Sequence, residues 1–109
     1  MTTSPDTTLA AIAAYLAAQD DLRLGIVFGS VARQRATVRS DLDLAVLAER
    51  PLTAERRMEL IGELARLTGR AVDLVDLATA GIPVARSALL TGRVLFQRDT
   101  ATYPAQVSR

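Results

Sequence analysis

Two aspartates, Asp41 and Asp43, stand two positions apart in the segment SDLDLAVL. In a β-strand this spacing places both carboxylates on one face, with their Cα atoms about 6.5–7 Å apart. Each negative charge opposes ionisation of the other, and bound divalent cations reverse that cost because both carboxylates then stabilise metal charge. The pair therefore indicates a site for a hard, oxygen-seeking cation such as Mg²⁺.

The amino-acid composition removes most other reaction classes. The 109 residues include no Cys, no His and no Lys, so all 13 basic residues are Arg. Thiolate nucleophiles, His bases, zinc sites built from Cys or His, and Schiff-base lysines are thereby excluded. Carboxylates, hydroxyls, guanidinium groups and backbone amides remain, and these suit Mg²⁺ and phosphate binding.

Two other segments could complete such a site. Gly29 and Ser30 follow an apolar, strand-like run; the glycine lets a phosphate approach the backbone, and the serine and the amides after it can donate to an anion. Further on, AVDLVDL carries Asp73 and Asp76, which point to opposite faces of a strand, so at most one can join the pair. Strand alternation alone does not choose between them. Taken singly, a Gly-Ser turn or a strand-end Asp is usually structural.

The spacing of apolar residues, prolines and glycines predicts a single α/β domain over residues 1–97 and a polar C-terminal tail over 98–109. A stripe of Met58, Ile61 and Ala65, with Leu60, Leu64 and Leu67 beside it, is expected to line the buried face of the central helix. The predicted elements are helices at 5 to about 19–21, 53–69 and 83–90, a short helix after Ser30, and strands at 24–28, 41–48, 71–77 and 93–97.

Charge and hydropathy exclude several classes of partner. The net charge of +1 argues against a nucleic-acid binder, and no apolar run approaches the ~20 residues that span a bilayer. The segment MTTSPDTT carries an acid where a signal peptide has basic residues. We expect a cytoplasmic protein that binds neither nucleic acid nor membrane.

The combined pattern resembles a known family. Gly29-Ser30, ten intervening residues, Asp41-x-Asp43 and a later VDLVDL are similar to the active-site motif of the minimal nucleotidyltransferases (MNT) of the DNA polymerase β superfamily. The resemblance covers about residues 9–97. It implies the nucleotidyltransferase fold, an α/β (α+β) domain with a mixed β-sheet flanked by helices.

The resemblance also implies roles for individual residues. Gly29, Ser30 and Arg33 would contact the triphosphate of ATP, and Asp41 and Asp43 would bind two Mg²⁺ ions. Asp73, favoured over Asp76 by the family pattern, would help hold the catalytic metal and accept the proton of the acceptor hydroxyl. One residue departs from the pattern: Gln34 stands where the family usually has Gly, which could alter the loop before Asp41.

Short members of this family are commonly antitoxins paired with a HEPN-domain ribonuclease toxin. The resemblance therefore implies transfer of AMP from ATP to a tyrosine hydroxyl of such a toxin, which silences it. Two alternatives remain open from the sequence. The chain could neutralise a toxin by binding alone, or it could modify a small molecule such as an aminoglycoside.

Overall fold

A four-stranded mixed sheet organises the chain, whose computed structural model describes residues 5–29 and 41–98. The sheet order is β3-β2-β1-β4, with β2 and β3 parallel and the other neighbours antiparallel. This architecture confirms the predicted fold class, and the predicted short helix after Ser30 lies outside the described residues. The elements are α1 (Pro5–Ala17), β1 (Leu22–Phe28), β2 (Leu42–Ala48), α2 (Ala54–Thr68), β3 (Val72–Asp76), α3 (Ile82–Thr91) and β4 (Arg93–Gln97).

The two faces of the sheet are covered unequally. On one face, alternate residues of β2 such as Leu42 and Leu44 pack in a single core with apolar residues of both α1 and α2. On the other face, Ala45 and Leu47 pack in a smaller core that includes Ala88 of α3. The alternation of DLDLAVLA correctly predicts which residues of β2 point each way. Only the short helix α3 covers the second face among the described residues.

The residues that cap helix α2 are the ones that the sequence predicts, Thr53 at the start and Gly69 at the end. The Thr53 hydroxyl accepts the Arg56 N–H at 3.0 Å, and Gly69 ends the helix in the left-handed conformation with φ of 69°. The predicted burial of Met58 and Leu67 is wrong, because Met58 is 72% exposed and Leu67 is 44% exposed. Leu60 and Leu64, one helical turn apart, form the fully buried row, and Met58 lies about 200° around the helix from Leu60. No helix in the described ranges has the length and apolar composition to cross a membrane.

Arg98, which is predicted to belong to the tail, stabilises the turn between α1 and β1 through hydrogen bonds. Its guanidinium donates to the carbonyl oxygens of Gln19 at 3.0 Å, Asp20 at 3.1 Å and Leu22 at 2.8 Å. Helix α1 has no basic residue in its own last turn, so a residue distant in sequence supplies the cation that favours a helix C-terminus. The rest of the predicted tail lies outside the described residues.

The buried carboxylate of Asp76 joins two loops at the end of β3. Its Oδ2 accepts the backbone N–H of Leu52 at 2.8 Å, and its Oδ1 accepts that of Ala78 at 2.9 Å. Asp76 is only 4% exposed, so these two backbone N–H groups take the place of water as hydrogen-bond donors to its carboxylate. This contact holds the segment before α2 against the strand that follows the helix.

We expect Asp76→Asn to lower the free energy of unfolding by about 1–3 kcal/mol, because one carboxylate oxygen becomes an NH₂ group that faces a backbone N–H. Urea denaturation at pH 7 measures the change. Asp20→Asn, at an exposed acid in the α1–β1 turn, is the matched control and should stay within about 0.5 kcal/mol of wild type. Equal midpoints for the two variants would contradict this role.

A second polar contact ties α2 to the α1–β1 turn. The Arg56 guanidinium donates to Asp21 through Nε at 3.0 Å and through Nη2 at 2.7 Å, and it also donates to Gln19 Oε1 at 3.0 Å. The hydrogen bond from Arg56 lowers the pKa of Asp21 below its ordinary value of 3.8, against the opposing effect of burial. The ion pair therefore contributes stability above pH 3.8 and loses it as the pH falls through the lowered pKa.

We expect Asp21→Asn to unfold at lower urea than wild type at pH 7 and to approach wild type as the pH falls below 3.8. The pair is partly exposed, so the loss at neutral pH should be small. Urea midpoints measured at intervals from pH 7 to pH 2.5 test this. A difference that is constant over the whole range would show that the ion pair is not its cause.

Candidate active site

Asp43 and Asp73 lie side by side on neighbouring strands. They are register partners in the parallel pair of β2 and β3, where backbones run about 4.8 Å apart. Register partners share a face of the sheet, and this is the face on which α3 packs. The structure thus brings together two of the three carboxylates that the sequence analysis proposes.

Asp41 stands at the entry to β2 and is exposed to solvent. Alternation along the chain puts it on the same side as Asp43. The N–H of the next residue, Leu42, donates to the Ala71 carbonyl at 2.8 Å, which fixes the start of β2 against the residue before β3. All three carboxylates are therefore carried by one end of a single parallel strand pair.

Strand register bears on the choice between Asp73 and Asp76, which strand alternation leaves open. Asp76 is the partner of Val46, three residues further along β2 than Asp43, and its carboxylate points into the opposite face to accept the Leu52 N–H. Each of its two oxygens already accepts a backbone N–H. Asp73 is exposed beside Asp43, so it is the third carboxylate of the candidate site.

Negative charge in this cluster is not balanced within the described chain. Burial raises the pKa of Asp43, and the neighbouring charges of Asp73 and Asp41 raise it further. The four ion pairs in the described residues all involve other acids, and none of them joins an arginine to this cluster. Such a cluster favours a bound cation, because a positive charge removes the repulsion that the sheet imposes.

Gly29, directly after β1, is required by its contact with Asp43. Its φ of 76° is in the left-handed region, which residues other than glycine rarely adopt. A Cβ at this position would lie 2.2 Å from Asp43 Oδ2 and 3.1 Å from Asp43 Cγ. From the sequence, the lack of a side chain at Gly29 is expected to let a phosphate approach the backbone. In the structure, it also leaves room for the Asp43 carboxylate.

The remaining predicted residues of the site fall outside the described ranges. These are Ser30 and Arg33, expected to contact the triphosphate, and Gln34, where the family usually has Gly. Their roles stay predictions.

The donor set fits Mg²⁺ held jointly with a nucleotide. Within residues 5–29 and 41–98, no group of three or more acidic side chains converges closely enough to hold a metal by itself. Magnesium is usually bound by one or two carboxylates together with substrate phosphates and water, rather than by a cage made only of protein ligands. Two adjacent carboxylates with an unbalanced charge match that mode of binding.

The structure also shows a groove that the sequence analysis does not predict. It has a volume of about 220 Å³ and runs along the outer side of β3, which is an edge strand. Asp73 lines it together with Arg57 of α2 and Val84 of α3, and the Arg57 guanidinium donates to the Leu74 carbonyl on this edge. No sequence signal marks Arg57 as different from the other arginines of α2.

Comparisons with known proteins agree with this geometry. Residues 10–101 match the family model described as polymerase beta, nucleotidyltransferase. No curated protein matches the sequence.

Among solved structures, the chain is similar to an antitoxin-containing complex described as a toxin-antitoxin with AMP-PNP, with 27% identity over 94% of this chain and 82% of that chain and a TM-score of 0.76. It is similar to a chain in the structure of the tri-AMPylated Shewanella oneidensis HEPN toxin in complex with MNT antitoxin. The identity is 28% over 95% of this chain and 82% of that chain, and the TM-score is 0.76. It is also similar to a chain of the MntA-HepT toxin-antitoxin, with 28% identity over 94% of this chain and 81% of that chain and a TM-score of 0.74.

These matches confirm the resemblance found from the Gly-Ser and Asp-x-Asp spacing. The family model covers most of the chain, and the solved neighbours share its fold over nearly its whole length. This chain belongs to the polymerase beta nucleotidyltransferase family.

Proposed function

We propose that this chain is a cytoplasmic, Mg²⁺-dependent antitoxin that transfers AMP from ATP to a tyrosine hydroxyl of a HEPN-domain toxin and so neutralises it. The observation that carries the proposal is the register pairing of Asp43 with Asp73, with Asp41 on the same side. The nucleotide is supported by the relative bound to AMP-PNP, and the acceptor by the relative whose HEPN toxin is tri-AMPylated.

The transfer requires one bond to form and one to break at phosphorus. The acceptor oxygen bonds to the α-phosphorus in line with the leaving group, and the bond from that phosphorus to pyrophosphate breaks. Two bound Mg²⁺ ions would make the hydroxyl more acidic and offset the charge on the pyrophosphate. The chain's own part in this reaction is to hold those charges at fixed positions and to receive the proton.

Asp73 is the group we assign to the acceptor proton. It is exposed and lines the groove beside β3, and its carboxylate has no hydrogen-bond or ion-pair partner within the described residues. With no His and no Cys in the chain, a carboxylate is the remaining protein base in this cluster. Asp41 and Asp43 would hold the cations, and Ser30 and Arg33 would hold the terminal phosphates.

We expect Asp43→Asn to slow transfer by about 10²–10³-fold or more, because one ligand of the cations and several kcal/mol of transition-state stabilisation are lost. The assay is intact-mass measurement of a HEPN toxin incubated with the chain and Mg·ATP, where each AMP adds about 329 Da by formula mass. Asp20→Asn, an exposed acid at the opposite end of β1, should transfer AMP at the wild-type rate.

Two outcomes of that assay would overturn the proposal. Asp43→Asn that modifies the toxin as fast as wild type would show that the carboxylate pair is not the reaction centre. Wild-type chain that binds and neutralises the toxin with no gain in mass would show an antitoxin that acts by binding alone.

We expect the same substitution to stabilise the free protein. Without divalent ions, Asp43→Asn should melt a few degrees above wild type, because the repulsion among the three carboxylates and the burial of the Asp43 charge are relieved. Adding Mg²⁺ with AMP-PNP should raise the melting temperature of wild type but not that of the variant. Calorimetry in EDTA and in Mg²⁺ tests both statements; equal shifts for the two proteins would argue against cation binding at Asp43.

A further inference from the structure

Within the described sheet, β3 is bonded to one neighbour only, β2, so one of its edges is free. In a parallel pair, alternate residues turn their backbone N–H and C=O groups toward the partner strand. The Leu77 N–H donates to the Val46 carbonyl, so the odd-numbered residues of this segment bond to β2. Leu74 therefore turns its carbonyl to the free edge, directly after Asp73.

Arg57 of α2 supplies a donor to that carbonyl. Its guanidinium donates to the Leu74 oxygen, and its side chain is half-buried. Arg57 precedes the buried Leu60 and Leu64 by three and seven positions, so it lies on the side of α2 that faces the sheet. Its long side chain thus reaches the free edge of β3 and takes the place of a neighbouring strand at this carbonyl.

The other arginines of α2 have a different kind of partner. Arg56 forms an ion pair with Asp21, and Arg66 forms one with Glu63. None of the four ion pairs in the described residues includes Arg57. Its hydrogen bond is instead to the backbone of β3, so removal of the guanidinium acts on that strand rather than on a surface charge pair.

The strand that Arg57 contacts carries the proposed base. Arg57 and Asp73 line the same groove beside β3. The Asp73 carboxylate has no hydrogen-bond or ion-pair partner in the described residues, so its position depends on the backbone that carries it. That backbone is fixed on one edge by register pairing with Asp43 and on the other by the bond to Leu74. Misplacement of a reacting group by about 1 Å can slow a reaction by about 10²-fold.

We propose that Arg57 is a positioning residue for the transfer reaction: its hydrogen bond to the Leu74 carbonyl fixes the free edge of β3 and so holds Asp73 where it receives the acceptor proton. The proposal rests on the proposed function, since it takes Asp73 to be the base. Arg57 belongs to a helix that packs on the far face of the sheet, and its effect on the rate passes through Asp73.

Arg57→Met tests this role, because methionine keeps an apolar stem and removes the donor. The assay is AMP transfer to the purified HEPN-domain protein encoded by the adjacent reading frame, well below the melting temperature of each variant. We expect kcat to fall about tenfold while KM for ATP and for that protein stays within about twofold. Arg57→Lys restores a donor and should recover most of kcat. Arg66→Met, at an exposed arginine of the same helix, is the matched control and should keep the wild-type rate.

A double variant separates action through Asp73 from direct contact with the substrate. On the Asp73→Asn background the base is already lost, so the addition of Arg57→Met should change the remaining rate by less than about twofold. A rate lowered by the product of the two single effects would overturn the proposal, because Arg57 would then act independently of Asp73. An equal loss of kcat in Arg66→Met would overturn it as well.

Amide hydrogen exchange in the free chain tests the same role without any transfer. We expect the Asp73 and Val75 amides, which face β2, to exchange about tenfold faster in Arg57→Met than in wild type. Amides of the central strand β1 in the same sample are the reference for global unfolding. Unchanged exchange at β3 would overturn the proposal even if transfer slows. If wild type adds no AMP, the proposed function fails, and the exchange result alone decides whether Arg57 holds Asp73 in place.

Discussion

The parallel pairing of β2 with β3 keeps two like charges adjacent. Left to themselves, the carboxylates of Asp43 and Asp73 would move apart, but each is fixed to a strand whose backbone hydrogen bonds and buried leucines set its position. The free energy that holds them comes from the apolar core beneath the sheet rather than from any contact at the site. Packing on one face thus supplies the electrostatic imbalance on the other face that a bound cation would relieve.

The division between faces explains why the site lies where it does. Two helices bury one side of β2, and α3, of 10 residues, covers only part of the other. A longer helix on that side would extend the smaller core toward the end of the sheet that carries the aspartates. The short α3 leaves Asp41 and Asp73 in water, and its own outer side remains available for contacts beyond the chain.

Much of this arrangement is readable from local sequence patterns. The alternation in DLDLAVLA predicts the face of Asp43, and Thr53 and Gly69 mark the ends of α2, because each of these signals acts within a few residues. The register of β2 against β3 is different, since it depends on the length of the crossover through α2 and on contacts such as that of Asp76 with Leu52. For the same reason the sequence could not choose Asp73 over Asp76 without the family pattern.

The surface features are the least predictable from the sequence. Met58 is apolar and has the helical spacing to Ile61, but it lies about 200° around the helix from the buried Leu60, which places it in solvent. The contact of Gly29 with Asp43 joins residues from different strands, so no local pattern contains it. The groove beside β3 is lined by Arg57 and Val84, which come from different helices, so no local pattern contains it either.

The order of the strands in the sheet also determines when each strand can pair during synthesis of the chain. β1 lies inside the sheet between β2 and β4, yet β4 is the last element among the described residues, and the guanidinium of Arg98, directly after it, donates to carbonyl oxygens of the turn that precedes β1. During synthesis β1 can pair with β2 while its other edge stays open until residue 97 has left the ribosome. Over that interval the nascent chain presents an unpaired strand rich in Leu, Ile and Val, the kind of edge that recruits other chains. The pairing of β4 with β1 therefore also ends the exposure of that open edge.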